Sequence, residues 1–214
     1  MLKGPTGNVL VDCGPEIRLQ MVREEIFDIE AVVVTHTHAD HIMGMDDLRS
    51  LCLKYERPIP VYTAPAYQED IRRIYPYAFT EFPKGIWVPR FDLRDVDPVL
   101  HLGGMDVRTF WVEHGKSTVL GIRVNDFAYV TDVGHIPELA WNALHNLETL
   151  VLDAVRIRPH PNHFNLEQAL DVAQRLGPKK TYLTHLSDDF DHDVTNKTLP
   201  QGIELAYDGL RIPF

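Results

Sequence analysis

The sequence predicts an α/β fold in a single domain spanning residues 1–214. Two observations support this: strand-sized apolar runs recur along the chain, and segments with the spacing of amphipathic helices lie between them. The composition, with 44% hydrophobic and 24% charged residues, is typical of a folded globular protein. No apolar run approaches the roughly 20 residues of a membrane-spanning helix, and the first residues lack a signal-peptide pattern. These features favour a cytoplasmic protein without a membrane partner.

Strands are predicted where apolar, mostly β-branched runs are bounded by turn residues. Pro58 and Pro60 cannot donate to a central ladder, so their strand is expected at a sheet edge. The predicted strands cover residues 8–12, 31–35, 58–62, 107–112, 119–124, 127–131, 149–153 and 181–184.

Helices are predicted where apolar residues recur at three- and four-residue spacing. The clearest covers residues 166–176 and ends at Gly177 and Pro178, a common stop signal. The others cover residues 16–25, 46–55 and 137–146. Residues 75–97, rich in proline and aromatic side chains, predict an irregular segment.

The charge and the cysteines exclude some classes of protein. The formal net charge is −10, from 21 basic and 31 acidic residues, which argues against a nucleic-acid partner because such binding depends on clustered Lys and Arg. Cys13 and Cys52 are too few for a disulfide framework, so both are expected to be reduced and buried.

Three histidines and an aspartate lie within six residues directly after a predicted buried strand, at His36, His38, Asp40 and His41. In extended backbone, residues i and i+2 point the same way, so His36 and His38 can share a metal ion. Asp40 and His41 would face a second ion as the chain turns into the next element. A lone histidine is usually only a hydrogen-bonded polar side chain, but four ligand-type residues at this spacing favour a metal site.

Later strands also end at metal-type ligands. His114, Asp132 and His185 each follow an apolar strand. Ligand sites in α/β proteins lie at such strand ends, so these three residues are candidate ligands as well.

In this ordered set the chain resembles the metallo-β-lactamase superfamily, whose HxHxDH motif stands at residues 36–41. The resemblance covers nearly the whole chain and implies an αββα sandwich with two divalent metals at one edge. It assigns His36, His38 and His114 to one metal, Asp40, His41 and His185 to the other, and Asp132 to both. Such a metal pair activates a bridging hydroxide for hydrolysis. Zn or Mn is favoured, and Fe or Co also suits all-His/Asp ligation.

The C-terminal third is similar to the PhnP-like branch of cyclic phosphodiesterases, and more loosely to ribonuclease Z. That resemblance implies that His163, just before the 166–176 helix, is a catalytic residue that protonates a leaving group or holds a phosphoryl oxygen. Asp40 is predicted to be catalytic as well as a metal ligand. Its alternative is a capping role at the helix start. Arg156 and Arg158 are candidate clamps for a substrate phosphate, and Asp153 is a candidate to orient a ligand histidine. His160 and His192 are expected at the surface.

Two departures from the branch have consequences. The usual first hairpin is missing, so the 8–12 strand is expected to expose an edge that a homodimer or another element covers. Relatives often carry a histidine three residues after the last ligand, and Asp188 stands there instead. The role of that histidine then falls to His192, or the substrate preference differs.

The predicted function is therefore hydrolysis of a small phosphate ester, including cyclic ones, by a phosphodiesterase. A lactonase or β-lactamase is the alternative, because the same nucleophile can attack a carbonyl. Ribonuclease Z-like processing of RNA ranks third, because the chain is acidic and shows no basic arm.

Overall fold

The computed structural model describes residues 1–83 and 85–214 and shows an α/β protein with two sheets, which confirms the predicted class. Lys84, within the segment predicted to be irregular, lies outside the described residues. Contacts divide the chain into two compact units, Met1–Asp106 and Val107–Phe214. The single domain stays a prediction. Among the described residues, no helix combines the length and apolarity that crossing a membrane requires.

The first unit contains a five-stranded sheet in the order β1-β2-β3-β4-β5. Strands β2 to β5 run parallel to one another, and β1 is antiparallel to β2. The helices and strands of the first unit are β1 Leu2–Lys3, β2 Asn8–Val11, α1 Ile17–Arg23, β3 Ala31–Val33, α2 Ala39–Ile42, α3 Arg49–Tyr55, β4 Ile59–Thr63, α4 Pro65–Ile74, β5 Phe91–Asp95 and β6 Val99–Leu102. Strand β6 belongs to the second sheet.

The core of the first unit forms between its sheet and its helices. Val32 of β3 and Val61 of β4 are fully buried, as are Ile42 of α2 and Ile71 of α4. All three residues of β3 are buried, so both faces of this central strand are covered, whereas β4 alternates between buried and half-buried residues.

The prediction that residues 58–62 form an edge strand is wrong, because β4 lies between β3 and β5. The backbone N–H of Ile59 points towards β5, where it donates to Arg90 O at 2.9 Å. Alternate residues point to opposite neighbours, so Pro60 faces the β3 side, and pairing with β3 begins one residue later at Val61. A missing N–H at Pro60 therefore breaks no ladder hydrogen bond.

The edge at residues 8–12 is covered by another element of the chain, which is one of the two expected outcomes. Strand β1 pairs with β2, with Leu2 opposite Val9 and Lys3 opposite Asn8. A tight turn at residues 4–7, closed by Gly4 N–H donating to Gly7 O at 3.0 Å, joins the two strands. The argument for a homodimer from an exposed edge is lost, and a dimer stays a prediction without that support.

The second sheet has the order β12-β11-β10-β9-β8-β7-β6. The elements that follow β6 are β7 Met105–His114, β8 Ser117–Val124, β9 Phe127–Val130, α5 Glu138–Ala143, β10 Thr149–Asp153, α6 Leu166–Leu176, β11 Lys180–Thr184, α7 His192–Asn196 and β12 Ile203–Leu205. The core of the second unit includes Val130, Leu150, Leu152 and Leu183, all fully buried.

Strand direction in the second sheet brings four strand ends to one edge. Strands β9, β10 and β11 are parallel neighbours. Strand β7 is antiparallel to β8, which is antiparallel to β9, so β7 points the same way as β9. The carboxyl ends of β7, β9, β10 and β11 therefore share an edge, where ligand sites of α/β sheets form.

Several elements differ from their predictions. Residues 46–55 form a 3-10 helix at Met45–Leu48 followed by α3, consistent with the low helix propensity of Asp46 and Asp47. Strand β5 lies inside the segment predicted to be irregular. It was not predicted because its five residues show no clear alternation of buried and exposed side chains. Strands β1, β6 and β12 and helices α2, α4 and α7 were not predicted, although Pro65 at the first turn of α4 is a start signal.

Candidate functional site

The first unit brings three histidine rings together after β3. The ring centroids of His36 and His38 are 4.5 Å apart, and those of His36 and His41 are 4.2 Å apart. His36 and His41 are buried, whereas His38 and Asp40 are exposed. The spacing predicted from extended backbone thus places His36 and His38 side by side, and α2 turns His41 towards them.

Asp12, directly after β2, holds this cluster from behind. Its Oδ2 lies 2.7 Å from His41 Nδ1 and accepts from Thr35 Oγ1 at 2.8 Å, while Oδ1 accepts from Thr35 N–H at 2.7 Å. A carboxylate acceptor at Nδ1 selects the tautomer that carries its proton there, so the lone pair lies on Nε2. Metal-binding histidines are usually oriented by such a partner.

Asp12 was not among the predicted site residues, although its place in the sequence carries a usable signal. Asp12 follows an apolar strand, as the candidate ligands Asp132 and His185 do. Its backbone adopts φ 57°, which is uncommon for a residue other than glycine. The buried side chain and this conformation mark a residue held for a specific task.

The loop that carries the histidines depends on a close backbone approach at Gly44. A Cβ at this position would lie 1.9 Å from Gly14 O, so only glycine fits. Backbone hydrogen bonds join the same segments, from Cys13 N–H to His41 O and from Gly44 N–H to Cys13 O. Cys13 is buried, as predicted, and burial raises the pKa of its thiol, which keeps it protonated.

The second unit contains a cluster of four ligand-type residues at the shared strand edge. The candidate ligand atoms of Asp132, Asp153, His163 and His185 all lie within 4.8 Å of one another. Asp132 and His185 follow β9 and β11, and Asp153 ends β10. The His185 Nε2 to Asp132 Oδ1 distance is 3.4 Å. Two of the predicted ligands and the predicted catalytic histidine therefore lie together in this unit.

Asp153 anchors this cluster from inside the protein. Its fully buried carboxylate lies 2.7 Å from His163 Nδ1 through Oδ2, which also accepts from Val133 N–H at 2.9 Å. Burial raises the pKa of the Asp153 carboxyl, while the hydrogen bond from His163 acts in the opposite direction. The second oxygen lies 3.7 Å from His185 Nδ1, so Asp153 faces both rings.

His163 lies among three other imidazoles. Its ring stacks on His185 at 4.9 Å with an interplanar angle of 16°, and meets His114 at 4.4 Å and His160 at 4.8 Å edge to face. His163 is 9% exposed. Its Nδ1 contact with Asp153 argues against a pure capping role, and the N-cap of α6 is instead Asn165.

His114 is the last residue of β7 and is oriented by backbone. Its Nδ1 lies 3.0 Å from Asn162 O. A carbonyl oxygen only accepts, so Nδ1 carries the proton and Nε2 carries the lone pair. The role of Asn162 could not be predicted, because a backbone contact leaves no signal in residue type.

The two candidate phosphate clamps make contacts within the protein. Arg156 donates to the carbonyls of Arg158 at 3.2 Å and Pro159 at 2.5 Å. Arg158 is 78% exposed and lies 3.5 Å from Asp189. Neither contact tests substrate binding, so both assignments stay predictions. The guanidinium of Arg156 is already engaged by two backbone carbonyls.

His160, expected at the surface, is partly exposed and also makes contacts within the protein. His160 is half-buried, and its Nδ1 accepts from two backbone N–H groups. Burial lowers its pKa. His192, in contrast, has an exposed side chain as predicted, and Asp188 is exposed as well.

Residues 7–186 match the family described as the Beta-lactamase superfamily domain. The solved structure of a diphosphatase from the PhnP family is 36% identical, with a TM-score of 0.88, and the match covers 96% of this chain and 79% of that one.

Two curated relatives are also similar. An octanoyltransferase from Porphyromonas gingivalis is 32% identical over 94% of this chain, and the chain spans only 41% of its length. A ribonuclease Z from Marinobacter nauticus is 24% identical over 87% of this chain and 76% of its own. The predicted resemblance to the superfamily and to its PhnP-like branch is confirmed. The chain therefore belongs to the β-lactamase superfamily of metal-dependent hydrolases.

Proposed function

We propose that the protein is a dinuclear metal-dependent phosphodiesterase that cleaves a small phosphate ester, including cyclic ones. The observation that carries the proposal is the buried Asp153–His163 pair within the candidate ligand cluster of the second unit. The proposed ligands are His36, His38 and His114 for one metal, Asp40, His41 and His185 for the other, and Asp132 for both.

The chain's donors fit divalent metals of the Zn or Mn type. His41 and His114 both hold a hydrogen bond at Nδ1, one to a carboxylate and one to a carbonyl, which directs Nε2 as the coordinating atom. The donors are imidazoles and carboxylates without thiolate, the set that Zn, Mn, Fe and Co accept. When bound, the metals supply a nucleophile at neutral pH and stabilise charge on the substrate oxygens.

His163 is proposed to protonate the departing oxygen. Its Nδ1 is engaged by Asp153, so the proton for transfer is held at Nε2. The buried Asp153 carboxylate stabilises the imidazolium in the low-dielectric interior and keeps the ring oriented. After transfer, the neutral ring keeps its Nδ1 proton and its hydrogen bond to Asp153.

A diphosphate is the second candidate substrate, because the PhnP-family structure that is 36% identical is a diphosphatase. Phosphate leaves with less need of protonation than an alkoxide does. A diphosphate therefore depends less on His163 than an alkyl phosphodiester does.

The leaving group provides the test of this function. His163→Ala should retain its metals and lower the rate on an alkyl phosphodiester by about 10² or more, since general acid catalysis contributes about that much. The loss should be small with a nitrophenyl phosphodiester, whose leaving group needs little protonation. His145→Ala, an exposed histidine, is the matched control and should behave as the wild type.

The same assays separate the alternatives by kcat/KM. An equal loss with good and poor leaving groups would contradict proton transfer by His163. Efficient hydrolysis of a diphosphate alone would favour the second candidate. Hydrolysis of lactones or β-lactams with every phosphodiester left intact would replace the proposal by a carbonyl hydrolase.

A further inference from the structure

His160 closes the loop that ends at His163. Its Nδ1 accepts hydrogen bonds from the backbone N–H of Asn162 and of His163, both at 3.2 Å. Two donors at one nitrogen require that Nδ1 be unprotonated, so the ring is neutral with its proton on Nε2. Burial lowers the pKa of His160, which favours the same state.

The loop that His160 closes touches two of the candidate functional histidines. Asn162, whose N–H is held by His160, presents its carbonyl to His114 Nδ1 at 3.0 Å. His163, whose N–H is also held, lies with its ring 4.8 Å from that of His160. One side chain thus fixes the backbone that orients one ring and carries the other.

The neighbouring backbone also restricts the position of the Asn162 carbonyl. A Cβ at Gly134 would lie 2.5 Å from Asn162 O, so a side chain there would displace the carbonyl. Phe164 N–H donates to Val133 O at 2.7 Å on the other side of His163. These contacts restrict the loop to one backbone conformation, and the His160 side chain holds the N–H groups of Asn162 and His163 within it.

We propose that His160 is a positioning residue, which sets the ring orientation of both His114 and His163 by holding the backbone of residues 162 and 163. Its role towards His163 rests on the proposed function, whereas its role towards His114 concerns metal affinity alone. It acts through the acceptor at Nδ1, and therefore a side chain with an acceptor at the same distance can replace it.

Three substitutions test the acceptor. His160→Asn keeps an acceptor close to the position of Nδ1, His160→Gln moves it one bond further, and His160→Ala removes it. Loss of a partner that orients a metal ligand costs about 10–100-fold in metal affinity or activity. We expect Ala and Gln to weaken Zn²⁺ affinity in chelator competition and to lower kcat by that amount. Asn should recover most of the affinity and of kcat.

A spectroscopic readout separates this role from general stability. In ¹⁵N spectra, the amide resonances of Asn162 and His163 should shift in the Ala and Gln variants and return near their wild-type positions in the Asn variant. His145→Ala, the exposed control, should change neither these resonances nor the affinity. If His160→Ala does not fold, Gly134→Ala tests the same path, because displacing the Asn162 carbonyl should also weaken Zn²⁺ affinity.

Each result decides the inference. Wild-type amide shifts and Zn²⁺ affinity in His160→Ala would overturn it, and so would an equal loss in the Asn, Gln and Ala variants, which would mean that the ring itself is needed. If wild type hydrolyses no phosphodiester, the proposed function fails. The affinity and amide measurements would still decide the role of His160.

Discussion

Two aspartates at strand ends orient histidine rings, and neither depends on the other. Asp12 accepts from Thr35 and contacts His41 in the first unit, and Asp153 contacts His163 in the second. Both carboxylates are buried, where a hydrogen bond to a ring nitrogen is stronger than in water. Each unit thus carries an acid whose task is to fix a tautomer.

Asp12→Ala is predicted to weaken metal binding without removing a ligand. His41 would lose the acceptor that holds its Nδ1 proton, so its ring could turn and change tautomer. The expected loss of metal affinity is about 10–100-fold, measured by competition with a chromophoric chelator.

Asp92→Ala is the control, because this carboxylate is exposed and forms an exposed ion pair with Arg94. An unchanged affinity in Asp12→Ala would show that the α2 backbone holds His41 without the carboxylate. A loss as large in Asp92→Ala would show that the measurement responds to net charge and not to orientation.

At the scale of elements, strand ends explain what could be predicted. Apolar strands that stop at His or Asp are visible in the sequence, and parallel strands bring those ends to one edge. Asp132, Asp153 and His185 meet for this reason. Asp12 follows the same rule after β2, but it lies outside the family motif and was therefore not predicted.

What the sequence could not show depends on backbone partners. The central place of β4 follows from where its pairing with β3 begins, which Pro60 alone does not reveal. The contacts of His160 and of His114 are to backbone atoms of a loop without regular structure. No residue type records such contacts, so they emerge only from the folded chain.

Asn165→Ala is predicted to destabilise the start of α6. Asn165 accepts from Gln168 N–H, Gln168 accepts from Asn165 N–H, and the Asn165 amide donates to Ile157 O. Loss of an Asn N-cap costs about 1 kcal/mol, measured as the free energy of unfolding in urea. Asn165→Asp keeps the capping acceptor and should recover most of that stability.

Asn142→Ala, an exposed position in α5, is the control and should change stability by less than about 0.5 kcal/mol. Equal stability of Asn165→Ala and wild type would show that the capping box contributes nothing. A loss in Asn165→Asp as large as in Ala would assign the effect to the contact with Ile157 O instead.

At the scale of the whole molecule, charge limits the substrates. The formal net charge is −10, so long phosphate polymers gain little attraction from the chain as a whole. A small substrate needs only local donors and metals. The net charge therefore supports the proposed small phosphate ester over an RNA substrate.

Metal content is the prediction that tests the whole ligand set. The proposed ligands are contributed by four segments, and Asp132 is assigned to both metals. Elemental analysis of protein purified without chelator should find about two divalent metals per chain, as expected of a two-metal hydrolase. Asp132→Ala should reduce both, whereas His114→Ala should mainly reduce one.

Removal of the metals is predicted to lower the melting temperature, because a ligand that binds only the folded state stabilises it by mass action. A metal present at 100 times its Kd contributes about 2.7 kcal/mol. At roughly 2–4 °C per kcal/mol for a chain of this size, each metal is worth about 5–10 °C. Chelation should therefore lower Tm in wild type by at least that amount and hardly at all in Asp132→Ala, where a shared ligand is missing. A single metal in metal-replete wild type would contradict the paired site. A Tm that chelation leaves unchanged would also contradict it, because metals that bind only the folded state must stabilise that state.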